Sequence, residues 1–521
     1  MPRYVALSYV WGTCPVLRLL KSNVESLGKD GALWKEKLPK TITDALDLVN
    51  RLEEHYLWVD ALCITQDDPE EMQSSIPCMN TIYQTASLTV IAAAGNSADA
   101  GLPGLRPGTR WHAPKNFEVG PLRYITSSTS TRDQFEFLQG SYWSTRGWTF
   151  QEGHLSRRRL VFTNEQVFWS CSKFSRCEEV RLEDTNRFYP FSTSEASEMV
   201  PGNLDVDDRP AVWQDKCLKY YIDGYSYKSL SHDDTDRLNA FKGMISYVAG
   251  ATKDRFFGGL PCSYFGEKLI WEVFPEQFFE KDWDHTVTKS LPTLQRRHKY
   301  PSWSWLDWKG HVYFFYEKES YEPRQIGFYR LENSELIHIN SEGSRNRRRN
   351  YEYTNNGSGY RAKIPLDEAP QEVRPTVESA SHFADYDGFK SLQRDPRIFF
   401  YTQSAILNFK PRDCTSKKIM TWEDLRDART TTTVEGVGIV FSSSSFQHWG
   451  YDGPREFIVI NQTHLLQETD PDNGLISNDR LTLMEISWKD STAYRETLAT
   501  VNEADWRKKV PNVQRKRISL G

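Results

Sequence analysis

The sequence predicts an α/β module at the N-terminus, a parallel sheet with flanking helices, followed by a helical linker region and a mainly antiparallel β C-terminal region. Three observations predict it. Short apolar runs alternate with stretches of helical periodicity up to residue 94. A polar, punctuated stretch at 184–204 ends that rhythm, and β-like runs recur from 311 to 487. Strand–helix–strand–helix–strand order implies right-handed crossovers, which lay helices on both faces of a parallel sheet.

The elements follow in order. Tyr4–Val10 (YVALSYV) reads as a buried strand entering a loop at Trp11-Gly12. A helix opens after Leu38-Pro39, with Thr41 or Thr43 as its cap and Ile42, Ala45, Leu46, Val49 and Leu52 at helical spacing. Tyr56–Asp60 (YLWVD) is a second buried strand ending in a carboxylate. Pro77 starts the next helix, with Met79, Ile82 and Tyr83 on one face. Ser87–Ala94 (SLTVIAAA) is the third strand. The connection 95–140 is rich in Gly, Pro, Ser and Thr, and its length calls for a purpose. Arg159–Phe162 and Gln166–Ser170 read as a hairpin around Thr163-Asn164-Glu165. Helical periodicity then spans Trp213–Gly250, and the aromatic PSWSWLDW (301–308) precedes β-like runs at 311–316, 336–340, 398–409, 434–441, 456–461 and 481–487. The expected domains are 1–180, a helical region 205–295, and a β-rich region 296–521 with a mobile insertion at 341–396.

Composition narrows the function classes. A chain of 521 residues exceeds the size of one hydrophobic core, so two or three domains are expected. With 65 basic against 70 acidic residues the net charge is −5, which speaks against nucleic acid as a partner. Hydrophobic residues at 38% and charged residues at 26% exclude a disordered chain and a membrane-embedded one. No apolar run approaches the ~20 residues of a bilayer span. The N-terminus lacks the layout of a cleavable signal, and the eight cysteines are scattered, which fits reduced thiols in the cytoplasm.

Three clusters carry candidate chemistry: ALSYVWG (6–12), YLWVDALCITQDD (56–68) and RGWTFQE (146–152). Ligands of open parallel sheets bind at the carboxyl ends of the strands. The first two clusters put Ser8, Tyr9, Trp11 and Gly12 after strand one, and Asp60, Cys63 and Gln66 after strand two. A strand-end Asp is also a common helix cap, so the site and the cap both stay open for Asp60.

These clusters, with LPKTITDAL and MNTIYQTA, resemble the fungal heterokaryon-incompatibility (HET) domain in order and spacing over roughly residues 4–155. DDTDRLNAFKGM (233–244), YPSWSW (300–305) and LMEISW (483–488) are similar, more loosely, to extensions that follow that domain. The chain starts almost at the first strand, whereas family members usually carry a leading segment. The resemblance implies an effector of programmed cell death in non-self recognition, with an incompatibility partner protein that the sequence does not name. The HET domain is in turn remotely similar to the Toll/interleukin-1 receptor (TIR) domain, which implies a TIR-like, flavodoxin-like sheet. In TIR domains that hydrolyse NAD, a Trp is followed four positions later by the catalytic Glu, the spacing of Trp148 and Glu152. The long segment 95–140 departs from that pattern.

The resemblance thus implies Glu152 as catalytic, Ser8, Tyr9, Trp11, Gly12, Asp60, Arg146 and Trp148 as binding residues, and NAD as substrate with no tightly bound cofactor and no metal. Such sites often form between subunits, so a homo-oligomer is expected. If 146–152 is helical, Trp148 and Glu152 share a face, and the five residues Ser8, Trp11, Asp60, Arg146 and Glu152 should converge with Glu152 partly accessible. The competing reading makes Trp148 core and pairs Arg146 with Glu152 or Asp60. At the level of function, a non-enzymatic signalling module acting by self-association or partner recruitment remains open, as does a degenerate member without activity.

Other features weigh less. Cys63 with His55 or His154 lacks an orienting Asn or Asp, and free cysteines are mostly buried. Cys171 and Cys177 lack a second pair for zinc, and Gly101–Gly108 lacks the Lys-Ser/Thr end of a phosphate loop. The basic tail Arg507–Arg517 reads as a frayed terminus, or as a nuclear-targeting stretch.

Overall fold

The computed structural model describes residues 2–110, 116–120, 122–125, 138–171, 175–178, 211–231, 236–252, 254–263, 265–274, 294–314, 326–332, 335–339, 397–409, 430–433, 440–443, 453–463, 469–470, 474–475, 480–510 and 512–521. The expected boundary at 184–204, the insertion at 341–396 and the run at 434–439 lie outside the described residues. The chain divides into two compact units, Met1–Cys217 with Lys228–Tyr247, and Leu218–Tyr227 with Val248–Gly521. Segment 228–247, which the sequence places in the helical region 205–295, packs with the N-terminal unit.

The N-terminal unit is built on a six-stranded sheet. Its strands are β1 (Val5–Ser8), β2 (Leu57–Trp58), β3 (Leu88–Ala92), β4 (Arg158–Phe162), β5 (Val167–Cys171) and β6 (Ser175–Cys177), in the order β2-β1-β3-β4-β5-β6. The first four are parallel, and β4-β5-β6 continue antiparallel as the expected hairpin and one more strand. Because the chain leaves β1 for one neighbour and returns from β2 to the other, strand order reverses at β1 and β3. Their carboxyl ends are where a ligand crevice forms in such sheets.

Helix α1 (Lys40–Arg51) buries Ile42, Ala45, Leu48 and Val49 against Val5, Leu7 and Val90 on one face of the sheet. Its expected Thr cap is overturned: Pro39 is the N-cap, with no side-chain cap bond. The Thr41 hydroxyl instead accepts from the Gly101 amide at 3.0 Å, while Asp44 accepts from the Leu102 amide at 3.0 Å. Both bonds tie the start of the long connection to α1. β2 is shorter than expected, because Asp60 opens a one-turn helix, α2 (Asp60–Cys63). The stretch before Pro77 is helical as well: α3 (Pro69–Ser75) is capped by the Asp68 carboxylate, and a 3-10 turn, Ile76–Cys78, joins it to α4 (Met79–Thr85). α4 and α5 (Gly147–Leu155) cover the other face, where Ala6, Ser8, Val10, Ile91 and Val161 point. Helix α5 is buried on nearly every side, as a helix without a polar face must be.

Two longer helices follow, α6 (Ala211–Ser226) and α7 (Asn239–Thr252). In the C-terminal unit, strands β7 (Ile398–Phe409), β8 (Gly453–Thr463), β9 (Arg480–Lys489) and β10 (Thr492–Asn502) pair antiparallel in sequence order. β11 (Gln514–Leu520) pairs antiparallel with β7 and, at Ala493↔Leu520, parallel with β10. These pairings join five strands in a ring, its last link the single pair Ala493↔Leu520. The expectation of a frayed basic tail is therefore overturned, with Ile518 and Leu520 wholly buried. YPSWSW is core, with Trp303 and Trp305 enclosed beside the short Trp305–Asp307 turn.

Candidate functional site

The site forms where β1, the β2–α2 junction and α5 meet. β1 ends on Ser8, which faces α4 and α5 because Leu7 and Tyr9 face α1. The Ser8 hydroxyl donates to Oε2 of Glu152 at 2.5 Å and accepts from the Trp143 indole at 2.8 Å. Asp60 takes the Trp11 indole on Oδ2 at 3.0 Å and its neighbour's Ala61 amide on Oδ1 at 2.7 Å. Arg146, the N-cap residue of α5, faces both carboxylates electrostatically without a contact ion pair to either among the described residues. The Tyr83 hydroxyl donates to the Leu7 carbonyl at 3.2 Å and borders Glu152.

A neighbouring carboxylate in an enclosed place opposes a carboxyl's ionisation. Burial pushes Glu152 from 4.5 up to about 7, with Asp60 adding to the rise, while Ser8, Arg146 and Tyr83 oppose it. Asp60 keeps part of its residue surface exposed, yet its carboxyl is enclosed, and burial pushes it from 3.8 to about 6 against the Ala61, Trp11 and Tyr9 contacts. Tyr9 is raised by burial and then by Asp60. Its buried hydroxyl meets no hydrogen-bond partner of good geometry among the described residues. The pair therefore has a neutral, proton-holding member near neutral pH, the state from which a carboxyl exchanges protons.

The structure gathers Ser8, Tyr9, Trp11, Asp60, Arg146 and Glu152. Trp148 lies in α5 one turn before Glu152 and is half-buried. Gly12 has a packing reason to be glycine: with φ at +65°, a Cβ there would stand 2.6 Å from the Asn96 carbonyl oxygen. Expected accessibility is overturned for Glu152, which is 7% exposed because Ser8 covers Oε2 and α5 is enclosed. Trp143 and Tyr83 receive no role at the site from the sequence, although Tyr83 falls inside MNTIYQTA and Trp143 stands three residues before RGWTFQE; a second Trp five residues before Trp148 is the signal for Trp143. Burial pushes the Cys63 thiol up, which disfavours a nucleophilic thiolate, while the Val59 amide that donates to Sγ opposes the rise. Among the described residues no cluster of His, Cys, Asp and Glu is arranged for a metal.

Residues 4–152 match the family model described as Heterokaryon incompatibility protein (HET). Heterokaryon incompatibility protein 6, OR allele, of Neurospora crassa is 36% identical over 100 residues, which cover 17% of this chain and 14% of that protein. The chain thus aligns with a small part of the curated relative's length. No solved structure matches.

Proposed function

We propose that this chain, whose residues 4–152 are a HET domain, acts in fungal heterokaryon incompatibility as a cell-death effector, and that the Asp60–Glu152 pair cleaves NAD at the nicotinamide–ribose bond. The observation that carries the chemical part is the enclosed carboxyl pair with Glu152 held near neutrality. The incompatibility role rests on what the Neurospora relative is named for.

Nicotinamide leaves as a neutral molecule from a cationic glycoside, so its departure needs no acid. The demand is a negative charge near the ribosyl cation and a base for the incoming water. Water oxygen bonds to the anomeric carbon, the carbon–nitrogen bond breaks, and the water's proton passes to the ionised form of Glu152, the base form of a carboxyl that titrates near 7, and then to solvent. Asp60, enclosed by Trp11 and Tyr9 but partly exposed as a residue, is the first carboxylate a ligand would meet, and Arg146 suits a phosphate oxygen. A TIR-like ancestry and a homo-oligomeric site belong to the same reading, as does a cytoplasmic setting; among the described residues no helix is long and apolar enough to cross a membrane.

A second reading, a non-enzymatic signalling module, is favoured by one observation: Glu152 is only 7% exposed and bonded to Ser8. Purified full-length protein at high concentration decides between them. Nicotinamide release that Glu152→Gln and Asp60→Asn each reduce by about 10²–10³ supports the enzyme. A folded wild-type protein that kills cells without consuming NAD leaves the signalling module.

A further inference from the structure

Hydrogen bonds around Glu152 run in one direction, and a residue outside the carboxyl pair sets it. Trp143 lies in the 3-10 turn Trp143–Thr145 that leads into α5, its ring packed with Val10, Ile91, Ala93, Val161 and Phe168. An indole N–H only donates. Its bond to Ser8 Oγ therefore takes one lone pair of that oxygen, and the serine hydrogen is directed to Oε2 of Glu152. Helix α5 is shaped around the indole: a Cβ on Gly153 would stand 2.7 Å from the ring. The Thr149 hydroxyl reaches the Trp143 carbonyl at 2.6 Å, which fastens the turn to the helix that carries Glu152.

We infer that Trp143 is a positioning residue that works through Ser8, committing Oε2 of Glu152 to accept a hydrogen bond and leaving the exchangeable proton of this carboxyl to Oε1. An oxygen facing an incoming O–H cannot hold its own proton along the same line, so a proton taken from water or a ligand arrives at Oε1. The inference rests on the reading above only in taking Glu152 as the working group. Other groups facing it are Asp60 from the β2–α2 junction, Arg146 from the start of α5, Tyr83 from α4 and Tyr9 beyond β1. Asp60 opposes ionisation of Glu152, whereas Arg146 and Tyr83 favour it. The Trp143–Ser8 chain acts on the side of Arg146 and Tyr83.

The test is a pH titration of the Glu152 carboxyl in the full chain, read by infrared difference against Glu152→Gln. Trp143→Phe keeps an aromatic ring and removes the N–H that holds the Ser8 hydroxyl toward Oε2, so the midpoint should rise, by no more than the roughly one pH unit that the Ser8 hydrogen bond to the charged carboxylate is worth. Ser8→Ala should raise it at least as far, and the double variant no further than Ser8→Ala. An unchanged midpoint in Trp143→Phe, or rises that add, would overturn the inference. Should Trp143→Phe fail to fold, the Trp143 indole proton resonance of the wild type must titrate with the carboxyl and stop titrating in Glu152→Gln; a resonance indifferent to pH overturns it. NAD turnover plays no part in this readout, so failure of the enzymatic reading and failure of the relay are told apart.

Discussion

At Glu152 the native fold favours a proton that the unfolded chain would release. The folded carboxyl titrates near 7 against 4.5 ordinarily, and Asp60 near 6 against 3.8. Both shifts are upward, so the native state binds more protons than the unfolded state through those windows. Stability therefore falls as pH rises from about 4 to about 7 through these groups and levels off above. Glu152→Gln cannot ionise but can still accept from Ser8. It should flatten the slope and melt higher than wild type at pH 8, while matching it near pH 5. A variant that melts lower at pH 8 would show instead that Arg146 stabilises the ionised form by more than burial opposes it. Much of this site was legible in the sequence: Ser8, Trp11 and Asp60 end or follow strands that the alternation implied, and Glu152 was reached through a family resemblance. Its burial was not legible, because α5 is covered by residues distant in sequence, among them Phe241 and Gly243.

Among the elements, those set by local pattern were readable and those set by partners were not. The parallel strands and α4 declare themselves by apolar runs and helical spacing. The cap of α1 was misread because Thr41 and Asp44 bond the amides of Gly101 and Leu102, far along the chain. β11 was misread because RKKVPNVQRKR is basic, and only pairing with β7 and β10 makes a strand of its end. Packing between α5 and its preceding turn offers a direct test. Alanine at Gly153 gains up to about 1 kcal/mol of helix propensity, but its Cβ meets the buried Trp143 ring, and such overpacking costs about 1–3 kcal/mol. The cost should win, so Gly153→Ala should lower the melting temperature. In a Trp143→Phe background, where the smaller ring frees space, the same substitution should become neutral or stabilising.

For the whole molecule, the family match ends at residue 152, yet the N-terminal folded unit does not. It continues through β4, β5 and β6 and takes in segment 228–247. Ser229 bonds both sides of Arg146, donating to the Thr145 carbonyl at 2.7 Å and accepting from the Gly147 amide at 2.8 Å. Phe241, wholly buried, brings its ring within 6.4 Å of the Phe150 ring, and Gly243 lies so close to Gln151 that a Cβ there would stand 2.5 Å from Oε1. The helix that bears Glu152 is thus held from behind by chain that lies well beyond the matched segment. Phe241→Ala removes the largest of these contacts at a cost of about 3–5 kcal/mol. Hydrogen exchange in the full chain should then speed up at the Gly147 and Ser229 amides and along α5, because local opening follows the loss of buried contacts. The amides of β11, which belong to the other unit, should exchange as before. If α5 keeps its protection while only 228–247 opens, that segment merely rests on the unit, and the carboxyl site owes its enclosure to the first 180 residues alone.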